Sequence, residues 1–239
     1  RARVASRLQA ALHSLTVRER VCRVCGGAFD SVLDLGDLAL STFPLPGDPP
    51  PSREPLDLCQ CRACGLVQLR HTVNPDAMFR QYWYQSGINE TMRAELADVV
   101  AQAVAHVGGL QPGDRVLDIG ANDGTLLANL PASVWKVAYE PAANLQAALK
   151  PHADLIIPEY FPAQAPFDLA AVCPHQVKLI FSIACFYDVD DPGAFVAAIA
   201  ALLHPKGAWI VQFQDLHQMI QATAFATLVH EHLVYDSLG

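Results

Sequence analysis

The sequence predicts an α/β protein in two parts, a small cysteine-built module followed by a parallel sheet with helices on both faces. Three observations carry that expectation. Five of the seven cysteines lie between Cys22 and Cys64. Apolar runs and helical stretches alternate from Asp114 onward, and the run from Val116 to Leu127 takes an apolar strand straight into a glycine-hinged turn. With 239 residues, 52% of them hydrophobic, the chain is long enough for one substantial core plus a small module.

In chain order, Val4, Leu8, Leu12 and Leu15 recur at helical spacing, so residues 1–19 are expected to form a leading amphipathic helix. Residues 20–72 are the cysteine module. Cys22-x-x-Cys25-Gly26 and Cys61-x-x-Cys64-Gly65 are two knuckles, each followed by a glycine that relieves the turn so that both sulfurs face one ion. Paired C-x-x-C motifs at this separation predict a closed structural Zn2+ site of four thiolates, Cys22, Cys25, Cys61 and Cys64. Cys59 is a competing ligand, and Cys61 is preferred because only it completes a knuckle. Two disulfides would need an oxidising compartment, which nothing in the sequence indicates. Cys173 and Cys185 stand in apolar surroundings and read as core thiols. Between the knuckles, Val32 to Gly36 reads as a short strand and Pro44 to Pro55 as a proline-rich excursion. Residues 73–108 are a linker with helices: Asn74-Pro75-Asp76 opens a short one, and a longer one covers about Glu90 to His106. Between these two lies Tyr82 to Asn89, dense in aromatic and hydrogen-bonding groups.

Residues 109–239 are expected to form the sheet domain. The pattern gives strand 115–119, helix 124–130, strand 134–139, helix 142–149 and strand 153–157, then strand 177–183, helix 192–203 and strand 208–213. Ligands of such sheets bind at the carboxyl ends of the strands. There the chain has Asp118, the turn Gly120-Ala121-Asn122-Asp123-Gly124, Glu140-Pro141, Tyr160-Phe161 and the segment from Ser182 to Asp188. A pyrophosphate would want Gly-x-Gly-x-x-Gly, so a dinucleotide dehydrogenase is disfavoured. The acidic Gly-x-x-x-Gly turn suits the sulfonium and amino acid end of S-adenosylmethionine (SAM), open N–H groups at a following helix start favour electron-rich atoms, and Glu140 is placed to accept both ribose hydroxyls. Strand, glycine turn, helix, strand, acid is the pattern of a class I SAM-binding, Rossmann-like domain. Its expected cofactor-binding residues are those named from Asp118 to Ser182, together with Ser86.

A net charge of −8 argues against nucleic acid as the main partner. No apolar run approaches the roughly 20 residues of a membrane helix, and no signal-peptide pattern follows Arg1, so no membrane partner and a cytoplasmic placement are expected. In the tail, His230-Glu231-His232 supplies a base candidate: imidazole takes protons near neutral pH, and two His with one residue between them share a face if the segment is extended.

Four ordered motifs resemble one family over nearly the whole chain: the paired knuckles ending Cys-Gly-Leu-Val-Gln-Leu, Tyr82-x-Tyr84-x-Ser86-Gly87, the run from Val116 to Leu127, and His230-Glu231-His232-Leu233-x-Tyr235. They look like the zinc-containing C-methyltransferases of deoxysugar biosynthesis, a branch of natural-product chemistry. The resemblance implies methylation of the carbon next to a ketone on a nucleotide-linked ketosugar, a small-molecule acceptor. It implies His232 as general base, Glu231 and His230 as its close partners, and Tyr82 and Tyr84 reaching the acceptor or the methyl donor. Where the family often shows a His after the fourth strand, this chain has Phe186-Tyr187-Asp188, so Tyr187 or Asp188 takes that place; the family's Tyr before the His-Glu-His is Val229 here. Members continue into a further Rossmann-like domain, so a larger parent chain is expected, and Leu233 to Leu238 reads as the first half of a hairpin that would close the sheet. Two other readings fit the same residues: an O- or N-methyltransferase of small molecules, and a zinc-ribbon scaffold with a degenerate methyltransferase fold.

Overall fold

A computed structural model describes residues 16–237 except 42, 43, 45, 48, 164–167 and 170–172. Most of the expected leading helix therefore lies outside the described residues; its end does not continue as helix, because Thr16–Arg18 (β1) pairs antiparallel with His71–Val73 (β5). The chain divides into two compact units, one of residues 1–79 with 214–239 and one of residues 80–213.

The first unit is built on a four-stranded antiparallel sheet, ordered β11-β4-β3-β2, from Phe29–Ala39 (β2), Arg53–Cys61 (β3), Val67–Leu69 (β4) and Val234–Tyr235 (β11). The short strand expected at Val32 to Gly36 extends well beyond both ends, because pairing with β3 runs from Phe29 opposite Cys61 to Ala39 opposite Arg53. Side chains alternate across β3: Leu56 and Leu58 join Leu69, Leu233 and Tyr235 in an apolar cluster, while Asp57 takes hydrogen bonds from Ser31 and Arg70. Leu216 and Met219 of the helix Leu216–Ala222 cover that cluster.

Here the structure departs from the sequence reading. The segment expected to begin a closing hairpin of the larger sheet instead pairs with β4, Val234 opposite Gln68 and Tyr235 opposite Val67. The reason is apolar: Leu233 and Tyr235 complete a small core that β3 and β4 leave open. Residues 214–239 thus belong with the cysteine module, although the sequence assigned them to the sheet domain.

The second unit is a five-stranded parallel sheet ordered β10-β9-β6-β7-β8, from Arg115–Ile119 (β6), Trp135–Tyr139 (β7), Leu155–Ile157 (β8), Val177–Ile183 (β9) and Leu203–Gln212 (β10). The helix Glu90–His106 starts on an Asn89 cap and packs Leu96 and Val100 against Val116, Leu179 and Phe181. The helix Pro192–Leu202, capped by Asp191, packs Phe195, Ile199 and Leu202 against Leu117, Val137 and Ile180 on the opposite face. Strands β7 and β8 lie to one side of β6, and β9 and β10 to the other. The carboxyl ends of β6 and β9 therefore flank the point where strand order reverses, which is where open α/β sheets bind ligands.

The helix expected at 124–130 is a single 3-10 turn, Leu127–Asn129. Pro131 cannot continue a helix, and Lys136 Nζ instead takes the carbonyls of Leu127 and Leu130 at 3.0 and 2.9 Å. Helix 142–149 is likewise reduced to Gln146–Leu149 ahead of a 3-10 turn that contains Pro151. Among the described residues no helix is long and apolar enough to cross a membrane.

Candidate functional site

The sulfurs of Cys22, Cys25, Cys61 and Cys64 all lie within 4.8 Å of one another. Cys22 and Cys64 are 3.6 Å apart, and Cys25 and Cys61 3.4 Å. Four thiolates about 2.3 Å from a zinc ion would sit about 3.8 Å apart, so the cluster fits that ion. The two knuckles repeat each other: Gly26 N–H donates to Cys22 O at 2.9 Å and Gly65 N–H to Cys61 O at 3.1 Å, with both glycines at positive φ. Gly27 and Ala63 N–H groups point at the Cys25 and Cys61 sulfurs, each at 3.4 Å. Cys59 stays out of the cluster; burial and the neighbouring Asp57 push its thiol up to about 11.

In the second unit the glycine turn uses its own donors. Gly120 and Ala121 N–H both donate to Tyr139 O, at 2.9 and 3.1 Å, and Gly124 N–H to Ala121 O at 3.0 Å. Asn122 N–H donates to Glu140 Oε2 at 2.7 Å, Asp123 N–H to Asn122 Oδ1 at 2.9 Å and Thr125 N–H to Asp123 Oδ1 at 3.2 Å. No amide from 120 to 125 is left for a phosphate, and the expected helix start with open N–H groups is absent. Gly124 itself is required, since a Cβ there would come 2.9 Å from His152.

What the turn offers is buried acid. Asp118 is 3% exposed, and burial together with the charge of Glu140 pushes its carboxyl well above the usual carboxylate range. Burial also raises Glu140, opposed by the N–H groups of Ala142 and Asn122, each 2.7 Å from its carboxylate. Neither influence on Asp118 is a cation. The ammonium and sulfonium of SAM would supply one, so the residues fit that cofactor; each Glu140 oxygen, already accepting one N–H, keeps capacity for a ribose hydroxyl.

Several other expected cofactor residues are otherwise engaged. Phe161 stacks edge-on against Tyr139 and Phe195, with centroids 5.1 and 4.9 Å away, as part of the core. Ser182 is fully buried and accepts the Trp209 indole N–H at 3.1 Å. Ser182 is thus enclosed, whereas Phe161 is only partly buried. Tyr160 lies beneath the Arg80 guanidinium at 5.0 Å, Pro141 follows Glu140 at the end of β7, and Tyr187 sits in the 3-10 turn Phe186–Asp188 beyond β9.

The segment Tyr82 to Gly87 is joined to the glycine turn by side chains of the turn that bond the segment's main chain. Asn122 Nδ2 donates to Tyr84 O at 3.0 Å, Ser86 N–H to Asn122 Oδ1 at 3.0 Å, and Gly87 N–H to Asp123 Oδ2 at 2.7 Å. Asn144 bonds both main-chain groups of Tyr82, at 2.9 and 2.8 Å. Sequence reasoning missed Gly87 and Asn144. Gly87 is fixed by space, since a Cβ would come 2.8 Å from Asp123 Oδ2 and Thr125 Oγ1; its only signal was a Ser-Gly pair after the aromatic run.

In the first unit the three residues of the His-Glu-His run take separate partners. His230, 2% exposed, bonds through Nε2 to Glu54 O at 2.9 Å. Burial pushes the Glu231 carboxyl up, opposed by a hydrogen bond with Ser41. His232 Nδ1 bonds to Thr227 O at 2.9 Å. A carbonyl only accepts, so Nδ1 carries the proton and Nε2 holds the lone pair. Burial holds the His232 pKa below its ordinary value, with the Thr227 bond opposing. The chain turns at His230 and Glu231 rather than running extended, so the expected shared face of two imidazoles is not formed.

A family described as "Putative zinc binding domain" matches residues 22–79, and one described as "Methyltransferase domain" matches residues 88–237. The C-methyltransferase NovU of Streptomyces niveus is 30% identical over 228 residues, which cover 91% of this chain and 53% of that protein. A ubiquinone biosynthesis O-methyltransferase of Xanthomonas campestris pv. campestris is 29% identical over 163 residues, 66% of this chain and 65% of that one. The chain thus spans about half to two thirds of the length of these relatives. Among solved structures, the Haloferax volcanii complex between the Trm112 methyltransferase activator and a methyltransferase matches at a TM-score of 0.49 and 18% identity, covering 63% of this chain and 67% of that one.

Proposed function

The chain belongs to the methyltransferase-domain family, and from that premise we propose that it moves a methyl group from SAM to the carbon next to a ketone on a small acceptor, with nucleotide-linked ketosugars as the acceptor class. SAM supplies an electrophilic methyl group on a sulfonium. Asp118 and Glu140 take the cationic and ribose parts of that cofactor, along the close backbone of Gly120, Ala121 and Gly124, with Pro141, Tyr160 and Ser86 nearby in sequence or space. His232 would take the proton α to the carbonyl, and the carbon nucleophile so formed would take the methyl group, the sulfur keeping the electron pair of the broken S–C bond and leaving as a neutral thioether. Tyr82, Tyr84 and Tyr187 are the phenols available to steady the developing enolate oxygen.

The observation that carries this reading is the 2.9 Å contact between His232 Nδ1 and the Thr227 carbonyl, which places the proton of a neutral ring on Nδ1, while burial favours that neutral ring. The likeness to a C-methyltransferase over most of the chain supports carbon rather than oxygen as the methylated atom. His230 and Glu231 enter as supports of the loop, through Glu54 and Ser41, rather than as a relay.

The test is His232→Ala, assayed with a 4-keto sugar nucleotide and with SAM binding followed by calorimetry. Methyl transfer should fall by at least about 10^2-fold, the lower range for loss of a general base, with SAM affinity unchanged within about twofold. Full turnover in the variant would remove His232 from the mechanism, and a product methylated on oxygen would move the chain to O-methyl transfer.

A further inference from the structure

The segment Arg80 to Gly87 is anchored from the loops that follow three successive strands. After β6 come Asn122 and Asp123, after β7 comes Asn144, and after β8 come the Pro158 carbonyl and Glu159, both bonded by Arg80 at 3.0 Å. The anchors after β6 and β7 reach main-chain atoms of the segment: the Tyr82 N–H and carbonyl, the Tyr84 carbonyl, and the N–H groups of Ser86 and Gly87. Arg93 takes the Gly87 carbonyl from the other side at 2.6 Å.

Asn122 is suited to this in two ways. It sits at φ 53°, a region that Asn tolerates better than most residues, and its amide uses both ends, giving to Tyr84 O and accepting from Ser86 N–H as a neighbouring strand would. Neither Asp nor Leu can do both. Asn144 repeats the device on Tyr82. Two side-chain amides therefore stand in for a missing strand partner, and they fix backbone while leaving the phenols of the segment to other contacts. Asn122 and Asp123, expected to touch the cofactor, divide their side chains between this segment and the turn itself, Asp123 Oδ1 accepting from Thr125.

We propose that Asn122, Asp123 and Asn144 are positioning residues, a splint that fixes the Tyr82 to Gly87 main chain across the carboxyl ends of β6 and β7 and so sets the Tyr82 and Tyr84 phenols for the methyl-transfer step. The catalytic part of this rests on the function proposed above. The splint acts on the reaction step more than on cofactor affinity, because its bonds run through the side chains of Asn122, Asp123 and Asn144, whereas the Glu140 carboxylate takes main-chain N–H groups of Asn122 and Ala142.

Asn122→Asp keeps the size and the acceptor for Ser86 but sets an anionic oxygen against the Tyr84 carbonyl. Amide hydrogen exchange over residues 84–87 of the free protein should speed up about tenfold, the scale of losing local closure. With the ketosugar nucleotide, kcat should fall by about tenfold or more while KM for SAM stays within about threefold, as expected for misplaced reacting groups. Asn144→Ala, at an exposed position, should give the same pattern at Tyr82 and serves if Asn122→Asp does not fold. Unchanged exchange in both variants would overturn the splint. Faster exchange with unchanged kcat, or a rise in KM for SAM alone, would overturn the positioning role. The exchange readout needs no turnover, so it decides the splint even if the chain proves not to methylate ketosugars.

Discussion

The two units bury polar groups to different ends. The unit of residues 80–213 has an apolar cluster on each face of its parallel sheet, and its buried carboxyls, Asp118 and Glu140, stand at the carboxyl ends of β6 and β7. The other unit has two small clusters, one of Leu56, Leu58, Leu69, Leu233 and Tyr235 and one of Leu40, Val73 and Met78, and on β3 it turns Asp57 toward Ser31 and Arg70. In that small unit Asp57 is paired with Ser31 and Arg70 and His230 with the Glu54 carbonyl, and four clustered thiols add what such small cores cannot. The larger unit buries an apolar cluster on each face of its sheet, and Asp118, raised by burial and by Glu140, has no cation to compensate it. Buried polarity that is paired reads as structure, and buried polarity that is left unneutralised reads as function.

The largest expected effect breaks the units apart. Removing zinc with a strong chelator, or replacing Cys61 with Ser, takes away binding free energy on the order of 10 kcal/mol that is also folding free energy. Hydrogen exchange resolved along the chain should lose protection in residues 16–79 and 214–237 while β6 to β10 keep theirs. Loss of protection in both units together would show that the larger one is not self-supporting. A metal analysis of the untreated protein should give one zinc per chain.

The next effect sharpens the contrast in buried charge. Asp118 is penalised by burial and by Glu140, so Asp118→Asn should raise the melting temperature of the cofactor-free protein by about 2 to 4 °C, the shift that 1 kcal/mol gives at this size. On the cofactor placement proposed above, the same change removes an acid that meets SAM, and SAM affinity should fall by about tenfold, the loss of a charged hydrogen bond. A lower melting temperature would mean that Asp118 is structural, like Asp57.

The sequence was most legible where one period dominates. Strands 115–119 and 177–183 and the helix Glu90–His106 lie where the apolar pattern places them, because both faces of the sheet and one face of the helix are filled by that pattern. The metal cluster was equally plain, since two knuckles with glycines admit one geometry. The helix after Gly124 was overestimated because Pro131 was not weighed against Leu126 and Leu127. The pairing of the tail was not legible because a short apolar strand carries no mark of which sheet it joins; Tyr235 opposite Val67 is a tertiary choice. At the site, residue types were legible and their partners were not. Asn122 and Asp123 stood in the right turn, but only the structure shows their side chains bonded to Tyr84, Ser86 and Gly87.

The smallest effect concerns pH and the base. His232 has its pKa lowered first by burial, with the Thr227 bond opposing, so in the folded chain it sheds its proton below the ordinary value of about 6.5. The active form is the neutral ring. Turnover should therefore rise with pH along a limb whose midpoint lies below about 6.5 and stay flat from there through neutrality. The linked stability has the same sign: between the folded and unfolded pKa values the unfolded chain binds the proton first, so acidification through that window costs stability and the cost is complete below the folded pKa. Glu231, raised by burial, acts oppositely: its cost to stability vanishes as pH falls below its unfolded value, so the two groups partly offset in a melting curve but not in a rate profile. The rate profile is thus the cleaner measurement. A limb centred above about 6.5 would mean that the group titrating in catalysis is not a buried His232 bonded to Thr227.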